Sequence, residues 1–146
     1  KLLFDTINQM KQELNTTFYV VQESWSNMNM EQAKQYMSKD LYESYKGKLE
    51  WMEIGNKRNV LKRIRLINLK PVSIHDDEND DKDLVWFYIN GSMVDYIIDT
   101  MANKSIDGNR FFSKPFIEFW KFTRKGDKWV LSQILQSNES DEINFQ

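Results

Sequence analysis

From Leu3 through Ile7, Met10, Leu14, Phe18, Val21 and Trp25 to Met28, apolar residues recur at alternating steps of three and four. Steps of that size lie on one stripe of a helix, so the chain opens with a long amphipathic helix predicted to end near Ser26. Asn27 and Asn29 interrupt it, and Asn29 followed by Glu31 reads as a new helix start running to about Met37. A third stripe, Leu41, Tyr45, Leu49 and Met52, predicts a further helix closing at Gly55-Asn56, where both residues tolerate the left-handed conformation.

Past Asn59 the pattern shortens to runs of β-branched and aromatic residues bounded by Asp, Asn, Gly and Pro, which predicts strands. Val60 to Ile74 is one long or broken strand whose alternation changes phase near Ile67, the mark of a bulge or bend. Leu84 to Asp99 is a second, with Gly91 as its kink. Phe116 to Arg124 and Lys128 to Leu135 form an antiparallel hairpin across Lys125-Gly126-Asp127. Between the first two strands, His75 to Asp83 carries six carboxylates and no apolar residue, and is expected to remain a solvated tip. Ala102 to Arg110 is expected to be a second long loop, and the polar tail from Ser137 is expected to fray. Three helices followed by a four-stranded sheet make an α+β domain, with residues 1–56 helical and 60–136 forming the sheet.

Length and composition narrow the function. At 146 residues and 40% hydrophobic, the chain suits one domain with a real core. Twenty basic residues against 22 acidic ones give a net charge of -2, which argues against nucleic acid held by bulk charge. No cysteine is present, so disulfides, thiolate nucleophiles and cysteine-ligated metals are excluded. The longest apolar run, Leu84 to Ile89, is far below the roughly 20 residues of a membrane-crossing helix. Beginning at Lys1 and directly in a helical pattern, the sequence is expected to be a part cut from a longer, membrane-anchored protein.

Candidate chemistry is sparse. The single histidine, His75, is too few for a triad or a histidine-rich metal site. The run Asp76, Asp77, Glu78, Asp80, Asp81, Asp83 lacks the central glycine and twelfth-position glutamate of a calcium loop. No metal and no cofactor is therefore expected. Asp95 and Glu118 stand within strands among apolar neighbours and are the best candidates for buried carboxylates. In an aromatic pocket such a group acts as a general acid or base, and otherwise it is a structural acceptor for a Tyr, Trp, Arg or backbone donor. Lys57 to Lys70 holds six basic residues and no acidic one. Within it Lys62, Arg63 and Arg65 form a stripe suited to anionic lipid or an acidic partner; the plainer reading is a charged outer face.

Several motifs carry a resemblance. They are Met93-Val94-Asp95-Tyr96, Gly108-Asn109-Arg110, the strand Phe116-Ile117-Glu118-Phe119-Trp120-Lys121-Phe122, and Trp129-Val130-Leu131-Ser132-Gln133-Ile134. Together they resemble the C-terminal domain of mitochondrial inner-membrane translocase (Tim) subunit 44 and its bacterial relatives. Trp25, Asp40-Leu41-Tyr42 and Asn59-Val60-Leu61 fall where that family has counterparts, so the likeness spans nearly the whole chain. The resemblance implies a nuclear-transport-factor-2-like cone, a curved antiparallel sheet wrapped around helices with a hydrophobic pocket. It also implies membrane association: the mitochondrial relative contacts inner-membrane lipid and tethers the import motor, and bacterial relatives follow a membrane segment. The zinc ribbon that some bacterial members insert in the last hairpin has no counterpart in a cysteine-free chain.

The expected function is a non-catalytic binding or adaptor module at a membrane, in protein transport or assembly. Its expected pocket face carries Phe87, Ile89, Met93 and Phe116, with Glu118, Trp120 and Trp129. Expected partners are a membrane surface, a membrane protein complex, an apolar ligand in the cone pocket, or a second copy in a homodimer. Two rivals are an isomerase or dehydratase using the same pocket, since such enzymes share the cone, and a purely structural domain of a larger membrane assembly.

Overall fold

The computed structural model describes residues 2–79 and 82–143. Helix α1 spans Leu2–Ser26. Its stripe is buried from Ile7 through Met10, Leu14 and Phe18 to Val21, and Phe18 is sealed completely. Placement of the Leu3 side chain, the first position of the stripe, lies outside what is described. The segment expected to form a second helix is one short 3-10 helix, Glu31–Tyr36. Asn29 does act at its start, its Oδ1 accepting from the Glu31 N–H at 3.0 Å. Ala33 is its only buried residue, too little apolar surface to hold a longer α-helix in place. Helix α2, Lys39–Ile54, starts where the Ser38 hydroxyl accepts from Leu41 N–H, and ends at Gly55.

Four strands follow: β1 (Lys57–His75), β2 (Leu84–Asp99), β3 (Lys104–Lys125) and β4 (Lys128–Gln136). They form one antiparallel sheet in the order β1-β2-β3-β4. The α+β architecture, helices first and an open four-stranded sheet after, is that of a nuclear-transport-factor-2-like cone. The phase change near Ile67 is real, because β1 slips against β2 between Leu66 and Asn68, and again at Lys62/Arg65 and Pro71/Ser73. Within the Lys62/Arg65 slip Arg63 adopts φ +52, so Lys62, Arg63 and Arg65 are all exposed while Ile64 turns inward. The last hairpin turns on only Gly126 and Asp127, since Lys125 pairs with Lys128. Gly126 takes φ +63 at the first turn position, where a side chain would be strained.

Three expectations of disorder or solvation are corrected. Ala102 to Arg110 is not a long loop, because β3 starts at Lys104 and pairs with β2 from Asp99↔Lys104 to Asp95↔Asn109. This half of the strand holds one apolar residue, the exposed Ile106, so no alternation betrays it. Arg110, Phe111, Phe112 and Ser113 then bulge out opposite Val94, and pairing resumes at Met93↔Lys114. As far as Ile143 the tail does not fray: it makes a 3-10 helix, Ser137–Glu142, and buries Ile143 against Trp86 and Leu135, while residues 144–146 lie outside the described residues. Ile143, an apolar residue beyond a polar run, docks it. In the acidic tip Asp83 is 2% exposed rather than solvated. It accepts from the Asp77 N–H at 2.7 Å and lies 3.8 Å from the Arg124 guanidinium. Asp80 and Asp81 of that run lie outside the described residues.

The main core lies between the helices and one sheet face, where Phe87, Ile89, Trp120 and Phe122 meet α1. Val60, Val94 and Tyr96 make a smaller cluster on the outer face. Met37 bridges to Leu131, and the Ser38 N–H donates to the Leu131 carbonyl at 2.8 Å, tying the helical layer to β4.

Candidate functional site

Alternation along β2 and β3 decides what faces the helices. Met93 and Asp95 continue the face of Phe87 and Ile89, and Glu118 that of Trp120 and Phe122. Toward the Lys57 end of the sheet these positions are less fully covered, and a cavity of about 330 Å³ opens between α1, α2 and the sheet. Trp25 and Tyr45, their rings 5.4 Å apart, supply one wall. Asp95 and Glu118 line the sheet side, and Lys48 of α2 joins them. Its ammonium stands 5.0 Å from the Tyr45 ring centroid. Val21, Leu61, Met93 and Ile134 add the apolar lining.

Both carboxylates are held by hydrogen bonds. Asn59 is the hinge of the first set: its Oδ1 accepts from the Trp25 indole N–H at 2.9 Å, and its Nδ2 donates to Asp95 at 2.6 Å. Glu118 accepts from the Trp120 indole through one oxygen and from the Gln136 amide through the other, each at 3.0 Å. Burial pushes the Glu118 carboxyl above the usual glutamate range. The Trp120 and Gln136 donors pull it down, and the Asp95 charge pushes it further up. Burial, with a smaller push from Glu118, also drives the Tyr45 phenol upward, so it stays protonated at any physiological pH. Each oxygen of Glu118 meets a donor, which offsets part of the effect of burial and fixes the carboxyl group in place.

Of the residues the sequence singles out, Met93, Asp95 and Glu118 meet at this cavity. Glu118 is half-buried, whereas Asp95 is exposed at the cavity rather than buried. Phe87, Ile89 and Trp120 lie fully inside the core. Phe116 stacks on Phe18 with ring centroids 6.1 Å apart. Trp129 lies elsewhere, under the Arg124 guanidinium at 5.6 Å, beside a second hollow lined by Glu13, Thr17 and Tyr36. Lys62 and Arg65 alternate with the inward-facing Leu61, Ile64 and Leu66 and so belong to the outer face; the Lys62 ammonium is 5.8 Å from the Tyr96 ring there. Sequence reasoning missed Trp25, Tyr45, Lys48 and Asn59 as a group. Tyr45 and Lys48, three apart on α2, carry the one signal available, and it becomes legible only once Trp25 is known to face them. Among the described residues no three His, Cys, Asp or Glu side chains gather as a metal ion requires, and no helix is long and apolar enough to cross a membrane.

Comparison with known proteins gives a family and a fold. The family model described as "Tim44-like domain" matches residues 5–136. Among solved structures, the intermembrane space region of the chloroplast protein ARC6 superposes with a TM-score of 0.55 at 10% identity. That alignment covers 86% of this chain and 96% of the other, and at such identity it speaks for the fold alone. No curated protein matches the sequence.

Proposed function

The chain belongs to the Tim44-like domain family, and from that premise we propose that it is a non-catalytic, membrane-proximal binding domain that docks by an apolar end on a lipid surface and presents its remaining faces to a partner in membrane protein transport or assembly. The observation that carries the reading is the cluster of bare side chains at one end of the molecule. Trp51 and Ile54, one turn apart at the end of α2, are 75% and 73% exposed, and Met101 in the β2–β3 turn is 80% exposed. The two connections are tied together, since the Thr100 N–H donates to the Asn56 carbonyl at 2.8 Å and Lys57 pairs with Asp99. Asp99 accepts from the Met101 and Ala102 N–H groups, which fixes the turn that carries Met101.

Lys57 and Lys104 flank this end, with exposed Glu50 and Glu53 beside Trp51 and Ile54 on α2, and exposed large apolar groups near lysines suit the boundary between headgroups and acyl chains. Transfer of Ile or Met out of water stabilises by about 1.5–3 kcal/mol when complete, and each lysine near an anionic surface adds about 1 kcal/mol. Such sums suit reversible docking, not permanent anchoring. Lys62, Arg63 and Arg65 start roughly 16 Å along β1 from Lys57, at about 3.3 Å per residue, and add exposed positive charge along that strand.

Flotation with liposomes of graded anionic content, at low and physiological salt, tests the proposal. Binding is expected to rise with anionic lipid and to be lost in a Trp51→Glu, Met101→Glu variant. A Lys62→Glu, Arg63→Glu, Arg65→Glu variant should lose only the salt-sensitive part. Unchanged flotation of the first variant overturns docking by the apolar end, and no flotation at any composition overturns lipid docking altogether.

A further inference from the structure

The cavity between Trp25, Tyr45, Lys48, Asp95 and Glu118 has no part in docking by the apolar end, yet it gathers two carboxylates, an ammonium and two aromatic side chains around one space. Its charges are unequal and separated by element. Two carboxylates come from the sheet, Asp95 on β2 and Glu118 on β3, and one ammonium, Lys48, comes from α2. The carboxylates are near enough that Asp95 disfavours the charge on Glu118. The hydrogen bonds from Asn59, Trp120 and Gln136 nonetheless hold them in place. Two fixed like charges facing one space are relieved by a cation placed between them.

The aromatic wall argues the same way. Trp25 and Tyr45 present ring surface to the cavity, and the one cation already present there, Lys48, sits within cation–π range of Tyr45. Lys48 also gives the ligand a second requirement. It makes no salt bridge to Asp95 or Glu118 by the usual 4.0 Å distance, so its charge remains available to an anion. The apolar lining from Val21, Leu61, Met93 and Ile134 suits a short hydrocarbon spacer. At about 330 Å³ the space falls at the lower end for small-molecule sites and admits a headgroup-sized molecule, not an acyl chain.

We propose that this cavity binds a small zwitterion, its ammonium end between Asp95 and Glu118 and its anionic end at Lys48. The shared chemistry is that of a phosphorylated amino alcohol, whether free in solution or as the headgroup of a lipid. It does not rest on docking by the apolar end, because a free zwitterion reaches the cavity without a membrane.

Titration with phosphoethanolamine, followed by calorimetry and by the Trp25 indole N–H resonance, is the test, with ethylammonium and inorganic phosphate titrated separately. Phosphoethanolamine is expected to bind saturably and more tightly than either half. Asp95→Asn and Glu118→Gln should each weaken it about tenfold, the scale of one charged hydrogen bond. Lys48→Ala should reduce its affinity to that of ethylammonium. Vesicles of phosphatidylethanolamine then separate the two sources. Weaker flotation of Asp95→Asn than of wild type assigns the headgroup, and equal flotation assigns the free molecule. Phosphate binding as tightly as phosphoethanolamine, or affinity unmoved by Asp95→Asn and Glu118→Gln in variants that retain the wild-type melting temperature, overturns the proposal. So does the absence of any shift of the Trp25 resonance at millimolar phosphoethanolamine.

Discussion

Phe116 lies across Gly91: a methyl group at residue 91 would come within 2.6 Å of the phenyl Cζ and 2.8 Å of the Arg65 carbonyl oxygen. The ring can swing aside, but the carbonyl belongs to the paired backbone of β1 and cannot. Gly91→Ala is therefore expected to destabilise the domain by about 1–3 kcal/mol, the usual cost of overpacking. Urea unfolding read by tryptophan fluorescence checks it, and a variant as stable as wild type would show that β1 shifts freely.

Tyr19 completes the hydrogen bonding of β1 where the strand slips. The Leu66 N–H, next to the Leu66/Asn68 irregularity, donates to the Tyr19 hydroxyl at 2.9 Å. Tyr19→Phe removes the acceptor and leaves a part-buried N–H without it, for an expected loss of about 1–3 kcal/mol. Hydrogen exchange at the Leu66 amide should quicken locally. Unaltered exchange there would mean another acceptor takes over.

Glu118 gives stability a defined slope with pH. Because burial, then Asp95, raise its pKa in the folded state against the pull of Trp120 and Gln136, the folded protein keeps a proton that the unfolded chain has released. Stability then falls as pH rises from the ordinary glutamate range, about 4.3, through the raised folded value, and the loss is constant above it. Glu118→Gln lacks this slope. Measured at steps from about pH 4 to pH 7, the unfolding free energy of wild type minus that of the variant should decrease; a difference that stays level or grows contradicts the account.

Asp83 and Asp76 make a matched pair within one acidic run. Asp83 is buried on the Asp77 N–H and beside Arg124, while Asp76 is exposed. Asp83→Ala is expected to cost about 1–3 kcal/mol and Asp76→Ala within about 0.5 kcal/mol either way. Thermal melts of the two variants side by side decide it.

The parts legible in the sequence are those where one face is apolar and the other is not. Ile7 to Val21 on α1 states its period openly, Phe116 to Phe122 on β3 shows itself by the density of its aromatic residues, and the phase change near Ile67 is legible too. Where a segment has a lone apolar residue, as Ile106 is between Lys104 and Asn109, pairing with β2 leaves no alternation in the pattern. Asp83 was hidden for a related reason: composition averages over a run, whereas burial acts on one residue. The cavity was half legible. Asp95 and Glu118 stand out as carboxylates among apolar neighbours, but their partners Trp25, Tyr45 and Asn59 come from three other segments that only the fold assembles.

The excursion of Arg110 to Ser113 makes β3 two lengths joined in series, since Lys104 to Asn109 and Lys114 to Lys125 each pair with β2 on their own account. Asn109 closes the near side by accepting from the Phe111 and Phe112 N–H groups at 2.8 and 3.1 Å. Residues added between Phe112 and Ser113 would lengthen the excursion without sliding either half along its neighbour. A tag or a fluorescent graft at that point would consequently leave both the cavity and the apolar end in register, and the chain could vary in length there while keeping its shape.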